Sequence, residues 1–363
     1  MGRIDVPELE DSQRCPVLLR DALTAYLQVI SEATGVFDGA GAVLRRLLDG
    51  AESDALDAEA AAARLAAAGG SGEGGKGGGA GAAGGGKGAS IGTTALHAAA
   101  AASPAPEAPA AAAAAVPPQG RRALVDLCSG GGGALVGLVA RGVVGRVDSL
   151  TMTDLFPNAA AFASAELRLP SVARGCAAPV DAAAVPRELA GAVRTLFNSL
   201  HHLPPPLVAR VLADAAASRA PGFAAFEVVG RHPVTVLAVV LQALAVPFVL
   251  PFAARRPNVA GKLGRLLVAL PAAPFAVAWD GFASCMRAYS MAELRAFAAA
   301  ASTPDYKFAA REAPSRWLGL KPFRLRWIEG APVRADGGAS RGSSGGGSSG
   351  DGEGCVGVDV RVA

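Results

Sequence analysis

Along Cys15 to Ser31, "CPVLLRDALTAYLQVIS", apolar residues recur at helical spacing, and Pro16 stands where a first turn tolerates it. Gly41 to Leu48 and Ala55 to Ala68 read as two further short helices, the second very rich in alanine. From Arg122 the pattern changes. "ALVDLC", "RVDSLTMTD", "ARGCAAPVDA", "VRTLFNSLHHL" and "GFAAFEVVG" are short apolar runs that read as five strands. Between them "ALVGLVARG", "PNAAAFASAELRL", "PRELAGA" and "PPLVARVLADAAASR" have the spacing of helices. Strands and helices alternating at this interval predict a parallel sheet with helices on both faces, and ligands of such sheets sit at the carboxyl ends of the strands. Asp126, Asp154, Asp181, His201 and Glu227 all fall at those ends.

After the fifth strand the alternation stops. "VTVLAVVLQALAVPFVLPFA", Val234 to Ala253, carries no charge, and "LLVALPAAPFAVAW" is a second uncharged run. About 20 apolar residues can span a bilayer, but Pro247 and Pro251 interrupt the first run near its end, and a span placed there would separate the strands of the sheet. A hydrophobic helical hairpin that covers an acceptor site, or that touches a membrane surface, fits the pattern better. Beyond it "SMAELRAFAAAA" is a helix with a capping box of Ser290 and Glu293. "YKFAARE", "FRLRWIE" and the terminal "CVGVDVRVA" read as strands, the last two joined by an overgrown glycine-serine turn.

Composition divides the chain. Gly69 to Gln119 is almost wholly Gly, Ala, Ser and Pro, and Asp336 to Gly354 reads "DGGASRGSSGGGSSGDGEG". Neither offers side chains that could offset the entropy of ordering, so both read as flexible, low-complexity segments. The expected organisation is a helical extension at 1–68, a linker at 69–119, and a main domain at 120–335 with an apolar insertion at 233–279. A Gly/Ser-rich insertion follows at 336–354, and a terminal strand at 355–363.

The 34 Lys plus Arg against 31 Asp plus Glu leave the chain close to neutral, without the basic stripe of a nucleic-acid reader. Five cysteines, an odd number with no CxxC pair, suit reduced thiols inside a cell, cytoplasmic or organellar. The acidic start "MGRIDVPELEDSQRC" lacks the apolar core of a secretory signal and the composition of a transit peptide.

The strand "ALVDLC" runs directly into the glycines of "VDLCSGGGG". Bare backbone after a first strand lets a nucleotide-like ligand approach closely. A dinucleotide fingerprint would need glycine where Cys128 stands. The frame D-x-[small]-x-G-x-G fits Asp126, Cys128, Gly130 and Gly132. On these residues the chain resembles the class I S-adenosylmethionine-dependent methyltransferases. Asp154 matches the acid of that family that binds the ribose, and Asp181 the acid that meets the adenine amino group. "FNSLHHL" is similar to the fourth-strand segment that borders the methyl group in small-molecule methyltransferases. "LEDSQRCPVLLRDALTAYLQ" and "WDGFASCMRAYSMAEL" are also similar to bacterial methyltransferase-like proteins of unassigned substrate.

The resemblance implies a Rossmann-like α/β sheet, mostly parallel with an antiparallel last strand, and S-adenosylmethionine as cofactor. It implies cofactor contacts from Asp126, Cys128, Ser129, Gly130, Gly132, Asp154, Leu155, Asp181 and Asn198. Asp154 has a second reading as the N-cap of the helix that follows, and Asp181 as the cap of a short one. Cys128 reads as a small buried residue rather than a nucleophile. His201 and His202 have no metal-ligating partner at local spacing, so no metal is expected.

Candidate acid–base residues are His201, His202 and Glu227 at the strand ends, with Asp280 and Arg287 in "WDGFASCMRAY" as a lid or as a surface ion pair. The expected partner is a small acceptor, lipophilic because the inserted segment is Val, Leu, Ala and Phe, with a peripheral membrane contact through 234–279. The other reading of the same features is a membrane-associated S-adenosylmethionine-binding or scaffold protein without turnover.

Overall fold

The sheet is built outward from the shortest, most buried strands. In a computed structural model of the chain, the described residues are 2–9, 11–12, 15–69, 120–130, 133–253, 272–317 and 320–334. Seven strands among them form one sheet in the order β3-β2-β1-β4-β5-β7-β6. They are β1 (Ala123–Asp126), β2 (Ser149–Met152), β3 (Ala173–Gly175), β4 (Val193–Phe197), β5 (Phe223–Glu227), β6 (Tyr306–Trp317) and β7 (Leu320–Pro332). The first five are mutually parallel, and β7 pairs antiparallel with both β5 and β6. This is the Rossmann-like, mostly parallel sheet that the strand–helix alternation predicts.

Strand period decides which residue faces which layer. Leu124, Leu150, Val193, Ala224 and Phe226 face one core with α2 (Ala40–Gly69), α3 (Gly133–Ala140) and α4 (Ala159–Arg168). Ala123, Val125, Leu196, Phe223 and Ala225 face the other, with α5 (Pro205–Ala217) and the helix Met291–Ala301. Both faces are covered, which is why β1, β4 and β5 are buried at every position.

The helical extension is integral to these layers. α1 (Val17–Thr34) starts after Pro16 and stops at Gly35, whose φ of 65° closes a left-handed cap onto the Ser31 carbonyl. The two short helices expected at 41–48 and 55–68 are one continuous α2. The residues between them are anchors: Arg122, just before β1, binds Asp49 at 2.6 Å and Glu52 at 3.0 Å. Alanine propensity carries the helix past Gly50.

The uncharged run does not form one long helix. It divides into α6 (Pro233–Leu241), a 3-10 turn (Gln242–Ala245) and α7 (Val246–Ala253). No helix among the described residues is long and apolar enough to cross a membrane. α8 (Ala272–Arg287) returns along α6, and Ala273, Ala276 and Val277 join Ala22, Ala25 and Tyr26 of α1 in a third core. α9 (Met291–Ala301) then carries the expected capping box, with Ser290 and Glu293 bonded reciprocally.

β6 and β7 pair along their length, from Tyr306 with Pro332 to Trp317 with Leu320, and β7 is the antiparallel neighbour of β5. The glycine-serine tract and the expected strand at 355–363 lie outside the described residues, as does nearly all of the expected linker.

One charge is buried within the sheet. The Arg194 side chain on β4 is fully enclosed and bonds Asp214 of α5 at 2.6 Å and Ser218 at 2.9 Å. Removing one partner of a buried pair strands the other. Arg194→Ala is expected to lower stability by about 3 kcal/mol in urea denaturation, whereas Arg194→Met combined with Asp214→Asn should lie within about 1 kcal/mol of the parent.

Candidate functional site

Because β1, β2, β3, β4 and β5 are parallel, their carboxyl ends share one rim, and two clusters form there. The first lies over β1 to β3. Asp126 ends β1 fully buried and accepts hydrogen bonds from Ser129 Oγ and Thr195 Oγ1, both at 2.7 Å. The turn after it adopts left-handed backbone at Cys128 (φ 53°) and Gly130 (φ 54°), and Gly133 opens α3 at φ 48°. Cys128 thus holds a conformation that favours glycine. Asp154, past the end of β2, accepts the Gly130 N–H on Oδ2 at 2.7 Å and the Phe156 N–H on Oδ1 at 2.9 Å. It clamps the glycine turn and is not a helix cap, since the cap of α4 is Asn158, which accepts from Ala161 N–H.

Asp181 lies next to this turn, where the Val180 N–H bonds the Asp154 carbonyl at 2.8 Å. Its Oδ1 accepts the Ala183 N–H at 2.8 Å, a local turn bond, while Oδ2 is 3.8 Å from Arg210. Leu155 is half exposed beside Asp154. Gly132 lies outside the described residues.

The electrostatics of this cluster are negative. Burial, with the charge of Asp154, Asp126 and Asp181, pushes the Cys128 thiol up to about 12. A thiol raised this far is mostly protonated at neutral pH, which disfavours it as a nucleophile. Burial raises the Asp126 carboxyl to about 7 against the opposing hydroxyl bonds. Three carboxylates around one turn suit hydroxyls, amines and cations, and repel a pyrophosphate.

The second cluster lies over β4 and β5. Ser199 Oγ donates to the Cys128 carbonyl at 3.3 Å and so ties the β4 end to the first turn. Asn198 is left-handed at φ 50° and accepts the Val228 N–H at 3.4 Å, so its side chain spans the β4 and β5 ends. Glu227 bridges β5 to the 3-10 turn Leu200–His202, accepting the Leu200 N–H at 2.7 Å and lying 2.7 Å from His201 Nδ1. His201 is fully buried and His202 partly exposed, the inward and outward pair that adjacent histidines commonly make.

Asp280 and Arg287 reach this cluster by a different route from either the lid or the surface pair expected. Both are buried on α8, where they hold residues 2–9 and 11–12 of the N-terminal segment across the rim. Asp280 Oδ1 accepts the Leu9 N–H at 2.6 Å, and Ser284 Oγ donates to Glu8 at 3.0 Å. Arg287 Nη1 donates to Asp11 at 2.7 Å and Nη2 to the His202 carbonyl at 3.0 Å. Arg3 adds bonds to the carbonyls of Arg287 at 2.9 Å and His201 at 3.2 Å. Burial opposes ionisation of Asp11, but His202 and Arg287 outweigh it and hold its carboxyl well below the usual carboxylate range.

Glu8 and Asp11 therefore belong to the site, and the sequence reading missed them. They stand in the stretch "ELEDS", which shows only as an acidic start, and nothing local links them to the histidines.

No protein-family model and no curated protein matches the chain. Solved structures resemble part of it. Mitomycin 7-O-methyltransferase is 14% identical over 58% of this chain and 48% of its own, with a TM-score of 0.34. An O-methyltransferase from neocarzinostatin biosynthesis, crystallised with S-adenosylmethionine and 2-hydroxy-5-methyl naphthoic acid, is 17% identical over 58% and 48%, at 0.33. Magnesium protoporphyrin IX methyltransferase from Synechocystis, with bound S-adenosylhomocysteine, is 14% identical over 57% and 72%, at 0.32. The chain spans about half the length of the first two. At this level of likeness the fold rests on the strand pairing of the chain itself.

The raised Asp126 carboxyl gives a pH signature. Its folded value of about 7 lies above the unfolded value of about 3.9, so the fold favours the protonated form. That stabilisation is full below about pH 4 and is lost as the pH rises through about 7. Asp126→Asn is expected to flatten the fall in melting temperature across that window, measured by thermal denaturation at fixed ionic strength.

Proposed function

We propose that the chain transfers a methyl group from S-adenosylmethionine to a small, lipophilic acceptor. The observation that carries the cofactor is the pair of acids Asp154 and Asp181 beside a glycine turn built over the buried Asp126, at the point where the sheet order reverses between β1 and β4. A ligand that brings ribose hydroxyls, an adenine amine and a sulfonium cation is the nucleoside complementary to carboxylates at that place. When bound, it supplies an activated methyl group and carries the difficult chemistry. The work of the protein is to align an acceptor, fix its polar end and exclude water.

In this reading the residues divide by role. Asp154 takes the ribose while holding the Gly130 N–H, and Asp181 faces the adenine end. Gly130 leaves room for close approach, since a Cβ there would meet nothing within 4 Å. Asp126, bonded by Ser129 and Thr195, supports the turn from beneath, with Cys128, Gly132, Leu155 and Asn198 bordering the nucleoside. His201, His202 and Glu227 receive the polar end of the acceptor. Asp280 and Arg287 are positioning residues that hold the N-terminal strap over it.

The lipophilic acceptor rests on the apolar insertion. Val234, Leu237 and Leu241 form the outward face of α6, and Phe275, Trp279 and Phe282 that of α8, all exposed. From Pro233 to Trp279 the sequence has no acid and four cations, Arg255, Arg256, Lys262 and Arg265. An exposed apolar face within an acid-free, basic stretch suits the surface of an anionic bilayer. We therefore assign the chain a peripheral membrane contact from which an acceptor would be drawn.

Calorimetry is expected to show binding of S-adenosylmethionine and S-adenosylhomocysteine but not of NADH. Asp154→Ala should weaken S-adenosylhomocysteine about 10- to 100-fold, with Asp154→Asn as the isosteric control for the turn. Binding of NADH with S-adenosylhomocysteine silent would overturn the cofactor. Separately, label from S-adenosylmethionine is expected in organic-phase extracts of host cells, and label confined to aqueous fractions would overturn the lipophilic acceptor. Leu237→Glu with Phe275→Glu should abolish sedimentation with anionic vesicles without changing cofactor affinity. Transfer to no fraction despite tight cofactor binding would favour the scaffold reading.

A further inference from the structure

The two imidazoles share an arrangement that methyl transfer alone does not require. Each is fixed through Nδ1 by a carboxylate, His201 by Glu227 at 2.7 Å and His202 by Asp11 at 3.2 Å. Each presents Nε2 to the same third carboxylate, at 3.6 Å from Glu8 Oε1 for His201 and 3.6 Å from Glu8 Oε2 for His202. Neither contact is short enough to be a hydrogen bond. His201 is fully buried, and its Nε2 has no hydrogen-bond partner. The rings lie with centroids 4.3 Å apart.

An orphaned nitrogen at that depth is costly unless something meets it. Two ligand atoms each about 2.1 Å from a tetrahedral ion are about 3.4 Å apart, and each imidazole lies near that distance from one oxygen of Glu8, His201 from Oε1 and His202 from Oε2. One ligand atom from each of Glu8, His201 and His202 lies within 4.8 Å of the others. A carboxylate on Nδ1 is the outer partner that metal-bound imidazoles usually carry, and here both rings have one.

Charge points the same way. Glu8, Asp11, Glu227 and Asp280 meet Arg3 and Arg287 in this cluster, with Asp5 exposed at its edge. An imidazolium or a divalent cation is favoured among these carboxylates. Two imidazoliums would leave the buried N–H of His201 without an acceptor in range, whereas a cation meets both nitrogens. Arg287 is the competing cation, 3.5 Å from Glu8 Oε1, but its hydrogen bonds go to Asp11 and the His202 carbonyl.

We propose that Glu8, His201 and His202 bind a divalent transition-metal ion, zinc being the best match to two imidazoles and a carboxylate. Three protein ligands leave a position for an oxygen ligand, either water or the polar end of an acceptor. The N-terminal segment, by supplying Glu8, completes the site.

The test uses the full chain, freed of metal by a chelator and titrated with Co²⁺ without cofactor. One equivalent should bind with the ligand-field absorption of a low-coordinate ion, and Zn²⁺ should displace it. Glu8→Gln, His201→Gln and the more exposed His202→Gln should each lose affinity by more than the roughly 10- to 100-fold expected of Glu227→Gln, the loss of an outer partner. His232→Gln should bind as the parent does. S-adenosylhomocysteine calorimetry on the same variants reports whether they fold, so the metal site and the methyl-transfer reading fail separately. No uptake by the parent, uptake unchanged in the three ligand variants, or two protonated imidazoles persisting in NMR spectra beside a closed-shell Zn²⁺ would each overturn the proposal.

Discussion

Parallel neighbours in a sheet can be joined only by a crossover, so the chain must return to the same rim before each new strand. The grouping of the acids that end the strands follows from that requirement. With both faces of the sheet covered by helices, the strands themselves have no room for charge except at their ends. Arg194, the charge buried within β4, needs an acid and a hydroxyl from α5 to be tolerated there. The acids that close β1, β2 and β5 are brought to one edge without having to be neighbours in sequence. The reversal of strand order between β1 and β4 opens a crevice at the middle of that edge, and the two clusters occupy its two sides.

The parts of this arrangement that were legible in the sequence are those with a local signal. Apolar runs that end in an acid, and a glycine turn following the first of them, located Asp126, Asp154, Asp181 and Glu227 before any contact was known. The left-handed Cys128 was legible only as a small residue, because its strain comes from the turn around it. The helix break expected near Gly50 failed for a related reason: Asp49 and Glu52 look like a polar link until Arg122, far along the chain, is seen to bind both. Glu8 and Asp11 were illegible altogether. Their partners lie on the 3-10 turn Leu200–His202 and on α8, about 190 to 280 positions away, and no spacing rule crosses such a distance.

The apolar insertion and the N-terminal segment work as a pair. α8 has one face exposed in Phe275, Trp279 and Phe282, and another that holds the strap through Asp280, Ser284 and Arg287. One helix thus links an exposed apolar face with the second cluster. That placement explains why a helix with so apolar a composition keeps an acid and an arginine buried: both are bonded to the strap, not to solvent.

The strap also sets an order of assembly. Its bonds to α8 join residues 271 to 284 positions apart, from Leu9 with Asp280 to Arg3 with Arg287. Contacts of such separation carry a large loop-closure entropy and form after the local strand–helix units have removed most of the intervening freedom. A chain leaving the ribosome can build β1 to β5, and with them the glycine turn, while α8 is still being made. Glu8 meets α8 only once residues 272–287 have emerged, after β5. The glycine-turn side of the crevice therefore needs only contacts among β1 to β4, whereas the histidine side also needs α8 and the N-terminal segment.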